Sequence, residues 1–237
     1  MKSILIIGGN SEIAYATSKI FAQNKYNIHL TSRNIINLEI KKKEIELLYN
    51  VNCKISSLDI ENKEDINRFL NSNPKTANII LLAAGLLANK NINDDQILNV
   101  NYLSHVDFIE KSILKYKDQI ELNTIIGISS VAGDRGRASN YVYGSAKAMV
   151  TAFTSGLRQR LHKSNVTVVT IKPGFVDTPM TSEFKKGFLW VKPYVVAAFI
   201  VQAISKKRAE IYVPSFWWLI MLCVKLTPSK LFKKIKM

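Results

Sequence analysis

The sequence predicts an α/β fold, one doubly wound parallel sheet flanked by helices, followed by an apolar and basic helical tail. Three observations carry this expectation. Short apolar runs alternate with amphipathic stretches along most of the chain, a glycine turn follows the first run, and the polar residues best suited to chemistry stand where apolar runs end. Strands spaced by helices form parallel sheets with right-handed crossovers. Ligands of such sheets gather at the carboxyl ends of the strands.

Ser3-Ile-Leu-Ile-Ile7 is an apolar run of buried-strand type that leads into Gly8-Gly9-Asn10-Ser11-Glu12-Ile13-Ala14 and then a helical pattern. Strand, glycine turn and helix in that order suit a dinucleotide, because backbone N–H groups and the helix N-terminus face its pyrophosphate. Glu12 and Ala14 stand where further glycines are expected, so Glu12 should cap the helix or point away from phosphate. A second strand, Asn27–Ser32, ends at Arg33. An acidic residue there would bind a bare ribose diol, whereas an arginine suits a 2′-phosphate. Ser32 and Arg33 therefore favour NADPH over NADH. Lysine-rich Ile35–Tyr49 reads as a helix, residues 52–58 as a strand ending at Asp59, and residues 78–83 as a strand ending in Ala84-Gly85. Asn99-Val-Asn101 opens an amphipathic stretch reaching about Lys117; residues 124–130 and 166–172 are further strands, the latter followed by Pro173-Gly174.

Chemistry concentrates in Tyr143-Gly-Ser-Ala-Lys147, downstream of Ser130. A phenol, an ammonium and a hydroxyl held together can give a proton to a carbonyl while a hydride arrives from the opposite face. A free tyrosine titrates at about 10 and exchanges protons poorly at neutral pH. An ammonium at i+4 on the same helix face favours the phenolate, so Lys147 is the expected tuner of Tyr143. Ser130, at a strand end, can donate to the carbonyl oxygen as charge develops there. Ser129 and Tyr141 are close decoys; only Ser130 and Tyr143 stand in the right relation to Lys147 and Gly133.

Over residues 1–213 the chain resembles the short-chain dehydrogenase/reductase family, which has a Rossmann-type fold. The resemblance is carried by Gly8 through Ala14, Asn101, Ser130-Val-Ala-Gly133, Tyr143-Gly-Ser-Ala-Lys147, and the loop of Pro173-Gly174, Val176 and Thr178. It implies that Tyr143 is the general acid, that Lys147 holds the nicotinamide ribose and lowers the tyrosine pKa, and that Ser130 orients the substrate carbonyl. Asn101 would hold a water that relays protons through Lys147. Gly8, Asn10, Ser11, Glu12, Ile13, Ser32, Arg33, Ala84 and Gly85 would line the cofactor, with Asp59 and Ile60 flanking the adenine and Thr178 meeting the carboxamide. Where the family carries Asn-Asn-Ala-Gly, this chain has Leu82-Ala83-Ala84-Gly85, so an asparagine that steadies the central strand is missing.

With 33 Lys and Arg against 18 Asp and Glu, the net charge is +15, which attracts nucleic acid or an anionic membrane surface. No nucleic-acid motif accompanies it. What does is the tail, residues 214–237, set apart from a reductase domain of residues 1–213. Its apolar run from Phe216 to Val224 is about half the roughly 20 residues that span a bilayer. Tryptophans beside lysines, including Lys225, Lys230, Lys233, Lys234 and Lys236, describe a segment lying in the headgroup region. Tail and catalytic stretch together are similar to the polyprenylphosphoryl-2-keto-pentose reductase branch of the family, which implies a lipid-linked carbonyl substrate, with Arg135 or Arg137 meeting the lipid phosphate. A soluble ketone reductase whose tail builds a subunit interface, and a non-catalytic dinucleotide-binding sensor, remain the alternatives. Cys53 and Cys223 are expected as buried free thiols, and His29, His105 and His162 form no metal-ligand pattern. Lys2 passes directly into fold sequence rather than a cleavable segment, which predicts a cytoplasmic protein; the tail predicts that it is peripheral on the inner face of the cell membrane, and a homo-oligomer joined through the helices flanking the sheet is expected.

Overall fold

The computed structural model describes residues 2–73, 75, 77–87, 92–116 and 122–235. Among them, strands β1 (Ser3–Ile7), β2 (Asn27–Ser32), β3 (Cys53–Ser57), β4 (Ile79–Leu82), β5 (Thr124–Ile128), β6 (Thr167–Pro173) and β7 (Glu210–Val213) pair in parallel in the order β3-β2-β1-β4-β5-β6-β7. The chain winds outward from β1 to β3 and then returns to the other side of β1 as β4. That reversal opens a crevice above the carboxyl ends of β1 and β4, where a doubly wound sheet binds its ligand.

The helices are α1 (Glu12–Gln23), α2 (Ile35–Tyr49), α3 (Lys63–Ser72), α4 (Asp94–Leu98), α5 (Ser104–Tyr116), α6 (Tyr141–Arg160), α7 (Pro193–Ser205), α8 (Trp217–Leu226) and α9 (Ser229–Phe232). Alternation within the strands sorts them into two layers. Ile4 and Ile6 of β1 join Ala14 and Phe21 of α1, Leu38 of α2 and Ile200 of α7 in one core. Leu5 and Ile7 point the other way, onto Ile66 of α3, Phe108 of α5 and Leu157 of α6. A strand buried on both faces reads as a continuous apolar run, which is what Ile4-Leu-Ile-Ile7 is. Each such side chain contributes about 1.5–3 kcal/mol on burial.

The expected strands are all present, with the third, fourth and fifth trimmed to Cys53–Ser57, Ile79–Leu82 and Thr124–Ile128, and the sixth shifted by one residue to Thr167–Pro173. The amphipathic stretch from Asn99 resolves into a π-helical turn over Asn99–Leu103 and α5, which ends at Tyr116, with the unexpected α4 just before it; Lys117 lies outside the described residues. Helices α3 and α7 and strand β7 go beyond the sequence expectation. Helix α7 is apolar nearly all round, because it packs on both the sheet and α1, and so lacks a polar face to mark its period. Strand β7 is four residues long, too short to display alternation.

The tail is docked on the domain. Trp217 and Met221 of α8 are buried with Val131 and Tyr212 in a small core of their own. Among the described residues no helix is long and apolar enough to cross a membrane. Lys230, Lys233 and Lys234 follow α8, and Lys236 lies outside the described residues. Cys53 is buried as expected, but Cys223 is exposed on α8, a correction that follows from its place on the helix face turned away from Trp217 and Met221. Burial holds the His29 imidazole down at about 4, and its Nε2 pairs with Ser56 Oγ at 2.8 Å, a structural role.

Candidate active site

The sheet delivers Ser130, Tyr143 and Lys147, the candidate proton-transfer groups, to one place. Ser130 follows β5 and caps a short 3₁₀ turn, its Oγ accepting from Ala132 N at 3.1 Å. Tyr143 and Lys147 lie on the first turns of α6, with Lys147 Nζ 5.6 Å from the Tyr143 ring centre. Lys147 is only 4% exposed and donates to Ile128 O at 3.0 Å, at the end of β5. The decoys separate cleanly. Ser129 Oγ is spent on Lys147 O at 2.7 Å, inside the protein, and Tyr141 is exposed on the surface.

Asn101 enters through the π-helical turn. The wider turn frees its side chain to donate to Ile97 O and Leu86 O, both at 2.8 Å, and to accept from Leu86 N at 3.3 Å. Such turns recur at functional sites because they redirect one residue inward without ending the helix. A Cβ placed on Gly85 would lie 3.0 Å from Asn101 Oδ1 and 3.7 Å from Lys147 Nζ, so the two polar groups converge there.

Electrostatics correct one expectation. Burial is the dominant influence on both titrating groups and disfavours charge on each. It pushes the Tyr143 phenol up to about 12, a hydrogen bond from Ser130 opposing the rise, and it brings the Lys147 ammonium down to about 8. Burial therefore outweighs any help from the neighbouring lysine, and the phenol stays above its ordinary value in this site. At neutral pH the phenol is protonated, the state in which it can donate.

The crevice at the β1/β4 reversal is a cavity of about 350 Å³. Gly8, Asn10, Ser11, Glu12, Ile13, Ser32, Arg33, Ile60, Ala84, Gly85 and Thr178 line it, together with Leu58 and Glu61. Gly8 takes a φ of +89°, and a Cβ there would meet Ala84 N at 2.5 Å, so this position accepts only glycine. Ser11 caps α1 by accepting from Ala14 N, which aims the helix N-terminus into the cavity. Glu12 also borders the cavity, with its carboxylate 3.5 Å from Lys41 Nζ. Buried Asn10 Oδ1 has no partner. The helix end and the free amide oxygen fit a dinucleotide. Asp59 is not part of this wall; its carboxylate accepts from Glu61 N at 3.1 Å and shapes the turn. Arg33 pairs with Glu61 at 3.0 Å, a contact sequence reasoning missed.

A second space adjoins, lined by Ser130, Tyr143, Lys147, Asn101, Pro173, Gly174, Val176 and Thr178. Beyond Ser130 and Tyr143 it opens into a cavity of about 160 Å³ walled by Val131, Phe175, Met180 and Phe184 and by Arg137 and Asn140. Of the two arginines expected to meet a phosphate, Arg135 is committed elsewhere. Its Nη1 donates to Val224 O, Lys225 O and Thr227 O at 2.5, 3.2 and 2.5 Å, and its guanidinium stacks on Phe232. It closes the C-terminal end of α8, whose free carbonyls attract a cation. Asn140 carried no signal in sequence, since its role depends on where the loop before α6 folds.

The short chain dehydrogenase family matches residues 2–187. An uncharacterized oxidoreductase of Staphylococcus epidermidis is 30% identical over 189 residues, covering 76% of this chain and 80% of the relative. Carbonyl reductase family member 4 of Xenopus laevis is 26% identical over 195 residues, 79% of this chain and 81% of its own. In fold, the short-chain dehydrogenase from Sphingobium yanoikuyae solved with NADPH superposes with a TM-score of 0.82 at 15% identity, over 100% of this chain and 97% of that one. A parallel sheet of this order, with serine, tyrosine and lysine gathered at its carboxyl edge and the family matching most of the length, leads to one assignment: the chain belongs to the short-chain dehydrogenase family and is an oxidoreductase of that kind.

Proposed function

We propose that the protein is an NADPH-dependent reductase that converts a keto group into a secondary alcohol. The observation that carries this reading is the convergence of Ser130, Tyr143 and Lys147 beside a crevice suited to a dinucleotide. When bound, the cofactor supplies a hydride to the carbonyl carbon. Tyr143 gives its phenolic proton to the carbonyl oxygen, and Ser130 donates a hydrogen bond to the same oxygen and holds it in line. Lys147, charged below about 8, stabilises the phenolate left behind and holds the nicotinamide ribose. Asn101 fixes the backbone at Leu86 and supports the water through which Tyr143 regains its proton. Ser32 and Arg33 receive the 2′-phosphate, with Glu61 as a competitor for the arginine. Changing Tyr143 to phenylalanine tests this: ketone-dependent NADPH oxidation should vanish while NADPH binding persists, and retained turnover would refute it.

The substrate reading follows the tail. It is a carbonyl compound presented at an anionic membrane surface, with a keto-sugar on a polyprenyl phosphate favoured over a 3-keto lipid. Phe216, Trp218, Leu219, Leu226 and Leu231 are exposed along the tail beside Lys225 and Lys230, and Phe184 and Phe188 are exposed on the loop bordering the substrate cavity. Trp217 is buried against the domain, so the one exposed indole of this tail, Trp218, with the lysines beside it, is what suits a headgroup layer. A homo-oligomer on the inner face of the membrane belongs to the same reading; exposed Leu47 and Leu48 on α2, and Leu114 on α5, are surfaces a second copy would cover. Flotation with anionic but not zwitterionic vesicles should carry the full chain upward; equal recovery with both would refute the surface role.

A further inference from the structure

We infer that Arg137 is a specificity residue that binds an anionic group, a phosphate or a carboxylate, on the carbonyl substrate. Arg137 lines the same cavity as Ser130 and Tyr143, on the side away from the dinucleotide crevice. Among the described residues no carboxylate lies within ion-pair distance of it, and its one side-chain hydrogen bond is donated to Met221 Sδ at 3.6 Å. Its Nε is buried with no partner at all. The nearby carboxylate, Asp134, is already consumed, pairing with Lys172 at 2.8 Å and accepting from Tyr212 OH at 2.7 Å.

A half-buried guanidinium with unfilled donors is costly unless something supplies the charge. The other cations near the cavity do not share this position. Arg135 is filled by the carbonyls ending α8, and Lys172 by Asp134 and Glu210. Burial also lowers the Arg137 pKa, so an incoming anion gains from a poorly hydrated cation. Asn140, on the same wall, has a buried amide oxygen without a donor, which suits a substrate hydroxyl. A hydroxylated ketone bearing an anion answers both, whereas a neutral apolar ketone answers neither. This inference deepens the reductase reading and rests on it for the identity of the reacting group.

The test is binding rather than turnover, so that the two readings fail separately. Tryptophan fluorescence of the full chain would follow farnesyl monophosphate, farnesol and inorganic phosphate. The expected result is preference for the phosphate ester over the alcohol. Arg137→Met should reduce that preference about 10- to 100-fold, the loss of one charge-assisted contact, and Arg137→Lys should restore part of it. Competition by inorganic phosphate would assign the subsite to a soluble anion; indifference to it, with farnesyl monophosphate still Arg137-dependent, would assign it to a lipid phosphate. Unchanged anion preference in Arg137→Met would overturn the inference. Tyr143→Phe should retain the anion preference, so lost turnover there reports on the reductase reading alone.

Discussion

Replacing Lys147 with methionine should make the cofactor-free protein more stable at neutral pH while abolishing reduction. Lys147 is 4% exposed, and burial lowers its ammonium from the ordinary 10.5 to about 8. At about 1.36 kcal/mol for each tenfold change in acidity, keeping it charged costs the folded state roughly 3 kcal/mol. Methionine fills much the same volume without charge, but it forfeits the bond to Ile128 O, worth about 1 kcal/mol. The net gain at pH 7 is roughly 2 kcal/mol, or about 4–8 °C in melting temperature for a chain of this length. The sign reverses with pH. Between about 8 and 10.5 the unfolded chain holds a proton that the folded chain has released, so wild-type stability rises with pH across that window. The advantage of Lys147→Met should therefore disappear by about pH 10.5. Urea denaturation at several pH values measures this, and a variant less stable than wild type at pH 7, with an unaltered pH slope, would refute the reasoning.

Arg135→Ala should release the end of α8, because three backbone carbonyls lose their shared donor. Proteolysis within residues 222–232 should then quicken, as expected for losing about 2 kcal/mol locally; unchanged cleavage would count against the clamp. Gly174→Ala should destabilise by about 1–3 kcal/mol, since a Cβ would fall 1.9 Å from Trp217 Nε1. A smaller residue at Trp217 should relieve part of that, and additive losses in the double variant would show that the two do not meet. Glu61→Gln should raise the ratio of NADPH to NADH efficiency by about two- to fivefold, because Arg33 loses an exposed ion pair worth at most about 1 kcal/mol. A ratio that falls would contradict the role given to Arg33.

Strands were legible because burial on both faces writes them as apolar runs, and Ile4-Leu-Ile-Ile7 has no other comfortable place. Tyr143, Lys147 and Ser130 were legible because one helical spacing and one strand end suffice to bring them together. What escaped depends on long-range packing. The fate of Arg135 is decided by a helix some ninety residues later in the chain, and no local pattern announces that its donors are taken. The Arg33–Glu61 pair joins the ends of two adjacent strands and needs their register. The titration of Lys147 and Tyr143 is hidden from the sequence for a related reason, since i+4 spacing gives proximity but says nothing of the solvent removed around both groups.

Deuteride transfer puts the central claim to its most direct trial. Wild-type protein would be given a ketone and NADPH labelled with deuterium at the nicotinamide C4, alongside Tyr143→Phe. The account predicts one deuterium on the carbinol carbon of the wild-type product and a rate lower by about 10²- to 10⁴-fold in the variant, with NADPH affinity retained. Solvent hydrogen at that carbon, or undiminished turnover without the phenol, would contradict it.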